Sequence, residues 1–195
     1  MATDWGEGTL TTSGYPFVVK RWKRGTPLQE AKEVFRGTRE EVGVSPFSLE
    51  GAGGTQFLGI SDAQTFFTAK YLALTPSGVA PVTLPPKATP RGLFHNEFLF
   101  TIEQEWEIGG HKWATGSLLS MPQSEVTSQV PTLRLVLAPG PRDSIEEVAV
   151  TRAGVLVARY SNVRGQLLRY TFDGRQWASS RLPLSDTGAV GIATR

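Results

Sequence analysis

Gly59-Ile60-Ser61-Asp62-Ala63 lies one residue away from G-x-S-x-G, the turn that presents a nucleophilic serine between a strand and a helix. The run that follows, Thr65-Phe66-Phe67-Thr68-Ala69, has the composition of a strand and not of a helix. The stretch therefore reads as a hairpin with Asp62-Ala63-Gln64 at its tip, and Ser61 is not assigned as a nucleophile. A Ser-His-Asp arrangement would also need one of only two histidines, His95 in "FHNE" or His111 in "IGGHKW". Both sit in turn-like contexts and read as loop residues. Their separation of sixteen positions is also too long for a paired metal motif on one strand or helix.

Three further groupings could carry chemistry. Glu103, Glu105 and Glu107 alternate along an expected strand, an arrangement able to hold a cation or to flank a sugar. A solvated strand face is the plainer reading. Lys20, Arg21, Lys23 and Arg24 surround Trp22, a pattern that suits single-stranded nucleic acid. The run is isolated, however, with Glu30 and Glu33 close behind it, and reads as a charged strand edge. Gly51–Gly54, "GAGG", lacks the Lys-Ser/Thr and the helix of a phosphate loop. No residue is thus assigned as catalytic, cofactor-binding or metal-ligating, and no cofactor is expected.

The bulk properties narrow the function classes. Lys and Arg number 20 against 18 Asp and Glu, so the net charge of +2 provides no general attraction to nucleic acid or to an anionic membrane. The absence of cysteine excludes disulfides, thiolate catalysis and Cys-based zinc sites. No apolar run is long enough to span a bilayer as a helix, and "MATDWGEGTLTT" is not a signal peptide. A cytoplasmic location is the resulting expectation, together with a chain that opens inside a domain, since Asp4-Trp5-Gly6 reads as domain interior.

Positioning any of these residues falls to short strands. Twenty-one glycines and 13 prolines are spread along the chain, and no segment keeps helical periodicity for more than two turns. "TPLQEAKEVF" is the best helix candidate, with Thr26 as cap and Pro27 in the first turn, soon returning to strand. The last third predicts four consecutive strands, 144–152, 154–162, 165–174 and 176–184. Turns are expected at Ala153-Gly154, Val163-Arg164-Gly165 and Asp173-Gly174-Arg175. Degenerate copies precede it, giving blocks at 1–37, 42–85, 88–139 and 144–184, with the start of a further strand at 188–195. A period of roughly 45 residues with four strands each is that of β-propeller blades. The expected fold is all-β, with about four four-stranded antiparallel sheets.

Within this framework a resemblance emerges. Asp4-Trp5-Gly6, Ser13-Gly14-Tyr15-Pro16, the run from Val19 to Leu28 and Glu30-Ala31 resemble a propeller segment of the prolyl oligopeptidase family of serine peptidases. "GGHKWATGSLLS" (Gly109–Ser120), "NVRGQLLRY" (Asn162–Tyr170) and "RLPLSDTG" are similar to that family in a looser way. The resemblance implies a parent in which a seven-bladed propeller covers the active site of an α/β-hydrolase domain and admits only short peptides. This chain has the length of about four blades, so the resemblance implies an incomplete propeller, inactive alone. Its implied partners are the parent's hydrolase domain and, in the parent, short peptides, with neither nucleic acid nor membrane. Exposed end blades would favour a homodimer of the segment. The competing reading is a free-standing propeller that binds a protein or peptide.

Overall fold

A computed structural model describes residues 1–51, 54–184 and 188–193. The chain is all-β and divides into two compact units, 1–49 with 57–87 and 127–129, and 50–56 with 88–126 and 130–195. Among the described residues no helix is long and apolar enough to cross a membrane.

In the first unit, β1 (Val18–Arg21) and β2 (Lys32–Arg36) form an antiparallel pair. Isolated bridges tie Ala2 to Val19 and Leu10 to Pro16. The opening block is therefore a partial one, a two-stranded sheet with bridges. The expected helix shrinks to one 3-10 turn, Leu28–Glu30, before β2 begins. Thr26 does not cap it, because its hydroxyl donates backward to the Lys23 carbonyl. The β-branched Val34 and aromatic Phe35 that follow favour the extended form.

A four-stranded sheet follows in the order β3-β4-β5-β6, from β3 (Gly43–Glu50), β4 (Gln56–Ala63), β5 (Ala69–Thr75) and β6 (Gly78–Pro81). Val44, Ile60, Leu72 and Val79, one from each strand, pack with Phe17, Val18 and Val19 into a single apolar cluster. The hairpin tip expected at 62–64 lies further along. Strand β4 runs through Ala63, and Thr65 to Thr68 make the turn, with the Thr65 hydroxyl accepting the Phe67 and Thr68 N–H groups. Phe66 and Phe67, expected in a strand, project at the tip, 84% and 82% exposed.

The second unit holds two four-stranded sheets. One has the order β12-β11-β8-β7, built from β7 (Ala88–Phe94), β8 (Glu97–Ile102), β11 (Leu118–Pro122) and β12 (Arg134–Leu137). Between β8 and β11 a separate ribbon of β9 (Trp106–Ile108) and β10 (His111–Trp113) is inserted. The other sheet runs β13-β14-β15-β16, from β13 (Asp143–Thr151), β14 (Gly154–Ser161), β15 (Arg164–Phe172) and β16 (Trp177–Arg181). All six residues of β8 are buried, as befits a central strand covered on both faces.

Leu99, Leu118 and Val136 of the first sheet meet Val155, Val157 and Leu168 of the second. The close approach explains Gly92, where a Cβ would come within 2.3 Å of Val150 Cγ2.

The four strands of the last sheet match the sequence reading to within three residues at each end. Its middle turn does not. Asn162 and Val163 form the loop at positive φ, while Gly165 lies inside β15, opposite Tyr160. Residues 188–193 carry no strand where the start of a further one was expected, and 194–195 lie outside the described residues. Parts of the Gly51–Gly54 loop (52–53) and of "RLPLSDTG" (185–187) lie outside them as well.

Candidate functional site

Ser61 sits in the middle of a sheet. It pairs with Tyr71 across β4 and β5, and strand follows the turn after it where an elbow needs a helix. The glycine before it has its own explanation, since a Cβ on Gly59 would fall 2.4 Å from Phe47 Cζ. Gly59 thus admits an aromatic ring onto the sheet, and the near-motif is a packing feature.

The other candidates stay apart. His95 occupies the β7–β8 turn at φ 52°, its ring 4.3 Å from that of Phe94. His111 begins β10, its ring 6.2 Å from that of Trp113. Neither imidazole has a serine or carboxylate hydrogen-bond partner among the described residues.

The three glutamates do not share one strand, because β8 ends at Ile102 and Glu107 belongs to β9. All three are exposed, and Glu105 pairs with Lys112 at 2.9 Å. No group of three or more metal-ligating side chains occurs among the described residues.

In the basic run, Lys20 lies 4.6 Å above the Trp5 ring, and Trp22 Nε1 donates to the Thr26 carbonyl. Arg21, Lys23 and Lys32 share a surface groove with Glu30 and Glu33, so both signs of charge line it.

Two polar clusters invisible to sequence reasoning are buried instead. In the second unit Glu97 is 4% exposed and Ser120 fully buried. Ser120 Oγ donates to Glu97 Oε2 at 2.7 Å and accepts from Trp177 Nε1 at 2.9 Å. Arg134 Nη1 donates to Glu97 Oε1 at 3.0 Å, and its guanidinium lies 5.5 Å from the Phe172 ring centre. Burial pushes the Glu97 carboxyl above its usual range, against the pull of Ser120 and Arg134. With its proton given to Glu97 and a lone pair taken by Trp177, Ser120 is not poised as a nucleophile. The cluster ties β8, β11 and β12 to β16 across the sheet interface. A cavity of about 430 Å³ opens beside it, lined by His95, Asn96, Glu97, Phe172, Asp173 and Gly174.

In the first unit Asp62 is 6% exposed and faces Glu41. Burial, then the Glu41 charge and a hydrogen bond to it, raise the Asp62 pKa to about 6, with Lys70 pulling the other way. Burial acts on Glu41 too, but bonds from Thr38, Gln64 and Asp62 outweigh it and hold Glu41 below its usual value. Of the pair, Asp62 is the carboxyl that keeps its proton to higher pH, and Asp62 Oδ1 is left without a hydrogen-bond partner. The sequence signal for either cluster is thin: a charged residue within, or at the end of, an otherwise apolar strand.

With this geometry in hand, comparison with known proteins is informative. No family model matches the chain. It is similar to an uncharacterized peptidase of Rickettsia prowazekii, 23% identical over 176 residues covering 86% of this chain and 24% of the relative. It is also similar to an uncharacterized peptidase of Sinorhizobium fredii, 22% identical over 199 aligned positions covering 98% of this chain and 27% of the relative. The chain thus spans about a quarter of the length of both relatives. Its fold is shared by a post-proline cleaving enzyme from Rickettsia typhi, with a TM-score of 0.85 and 22% identity over 93% of this chain and 28% of that one. These matches bear out the resemblance to prolyl oligopeptidase peptidases read in the sequence.

Proposed function

We propose that the chain is the non-catalytic propeller portion of a prolyl-oligopeptidase-like serine peptidase. In this reading it covers the active site of an α/β-hydrolase domain elsewhere in the parent and limits entry to short peptides. One observation carries it: the fold match takes in nearly all of this chain but little more than a quarter of the post-proline cleaving enzyme. A chain that corresponds throughout to one part of a larger peptidase performs that part's task. The blade-like sheets support a scaffold role, since their buried polar residues are spent on joining strands.

The test is turnover of proline-containing chromogenic peptides by the chain alone and by the chain joined to the rest of its reading frame. The chain alone is expected to be inert, and the longer protein to be active and labelled by a serine-directed probe. Turnover by the isolated chain that survives serine-directed inhibitors and repurification overturns the proposal. So does a longer reading frame that encodes no hydrolase domain.

A further inference from the structure

The hairpin joining β14 to β15 turns on two residues, placed there by the pairing of Ser161 with Arg164. Asn162 and Val163 stand at φ 49° and 69°. The left-handed region is strained for a β-branched residue. The Val163 side chain is 91% exposed, so burial gives nothing back. The same turn also orients Arg142. The Asn162 N–H donates to the Arg142 carbonyl at 3.1 Å, and Arg142 Nη1 donates to Asn162 Oδ1 at 3.2 Å.

Arg142 and Arg164 line one cavity of about 930 Å³, with Tyr160, Ser144, Gly188 and Ala189. Neither arginine has a carboxylate partner among the described residues. The nearby carboxylates are engaged elsewhere. Asp143 faces Arg159 at 3.6 Å and accepts the Gly140 N–H. Glu146 accepts the Ser144 hydroxyl, and Glu147 accepts the Ile192 N–H. Two guanidinium groups beside one cavity, without a carboxylate counter-ion among the described residues, suit the paired oxygens of an oxyanion.

We propose that this cavity binds the terminal carboxylate of a peptide, with Arg142 and Arg164 supplying the charge and Asn162 holding Arg142 in place. The choice of a peptide rests on the peptidase reading; the oxyanion chemistry rests on the cavity alone. The site would retain a peptide end on the propeller portion and is separate from any chemistry on the peptide bond.

Titration calorimetry with the chain as it stands tests this, using an N-acetylated alanine tetrapeptide, its C-terminal amide, and inorganic phosphate. The free-carboxylate peptide is expected to bind, and the amide about tenfold more weakly or not at all. Arg142→Gln and Arg164→Gln should each weaken binding about fivefold to tenfold with an unchanged urea midpoint, since both side chains are exposed. Asn162→Ala should weaken it while leaving both charges in place. Equal binding of acid and amide, or binding indifferent to both arginine changes, overturns the proposal. Arginine-dependent binding of phosphate without the peptide refutes the peptide assignment. None of these outcomes depends on turnover, so the peptidase reading stands or falls separately.

Discussion

Replacing Asp62 by Asn probes the proton that the buried Asp62 holds toward the half-buried Glu41 in the first unit. The folded-state pKa of Asp62 is raised from 3.8 to about 6, so stability is complete below the unfolded value and is lost as pH rises through the folded one. Between those values the folded chain holds a proton that the unfolded chain has released. Stability therefore falls by about 1.4 kcal/mol per pH unit there. Glu41 is shifted the other way, and its own contribution is lost as pH falls below the usual glutamate range. A scan from about pH 4.5 to about pH 8 isolates Asp62 and should cost the parent chain about 2 kcal/mol.

Asp62→Asn keeps the shape and a donor toward Glu41 but cannot ionise. In urea unfolding of the two chains, the advantage of the Asn chain should be about 2 kcal/mol larger near pH 8 than near pH 4.5. Taking the difference between the chains cancels groups common to both. A pH-independent difference, or a parent chain that gains stability across the scan relative to the Asn chain, refutes the proton held by Asp62.

Three other outcomes are expected. Ser120→Ala removes the oxygen that joins Glu97 to Trp177; it should cost about 1 to 3 kcal/mol in urea unfolding, because the buried Glu97 and the half-buried Trp177 lose a partner. Gly59→Ala drives a Cβ into the Phe47 ring and should cost about 1 to 3 kcal/mol. Adding Phe47→Leu should recover part of that loss in thermal melts. Lys23→Gln with Arg24→Gln should change stability by less than about 0.5 kcal/mol, since both side chains are exposed. A salt-sensitive DNA or RNA complex that this pair abolishes would contradict the scaffold reading.

The strands were readable where local chemistry decides them. Val155 and Val157 alternate with Leu156 and Ala158 on the two faces of a covered sheet, and the Asp173-Gly174 turn fixes its own geometry, with Asp173 Oδ1 accepting the Arg175 and Gln176 N–H groups. Reading failed where a distant contact decides. Gly165 signals a turn by residue type, yet the turn falls at Asn162-Val163, because the pairing of Ser161 with Arg164 sets the register. A one-residue slip would reverse every side chain of β15, including the core residues Leu168 and Tyr170. Burial of those two residues outweighs the local strain of a left-handed valine.

The polar clusters were hidden for the same reason. Glu97, Ser120 and Arg134 lie on three strands of one sheet and Trp177 on the next, so the cluster is complete only once two sheets have packed together. A carboxylate in an apolar strand costs stability unless it finds such partners. Glu97 is therefore the position from which the search for its hidden partners could have begun. Asp62 is the same kind of signal at the end of β4, where the sequence reading weighed the neighbouring serine instead. In both strands the buried acid, not the hydroxyl, marks where distant elements converge.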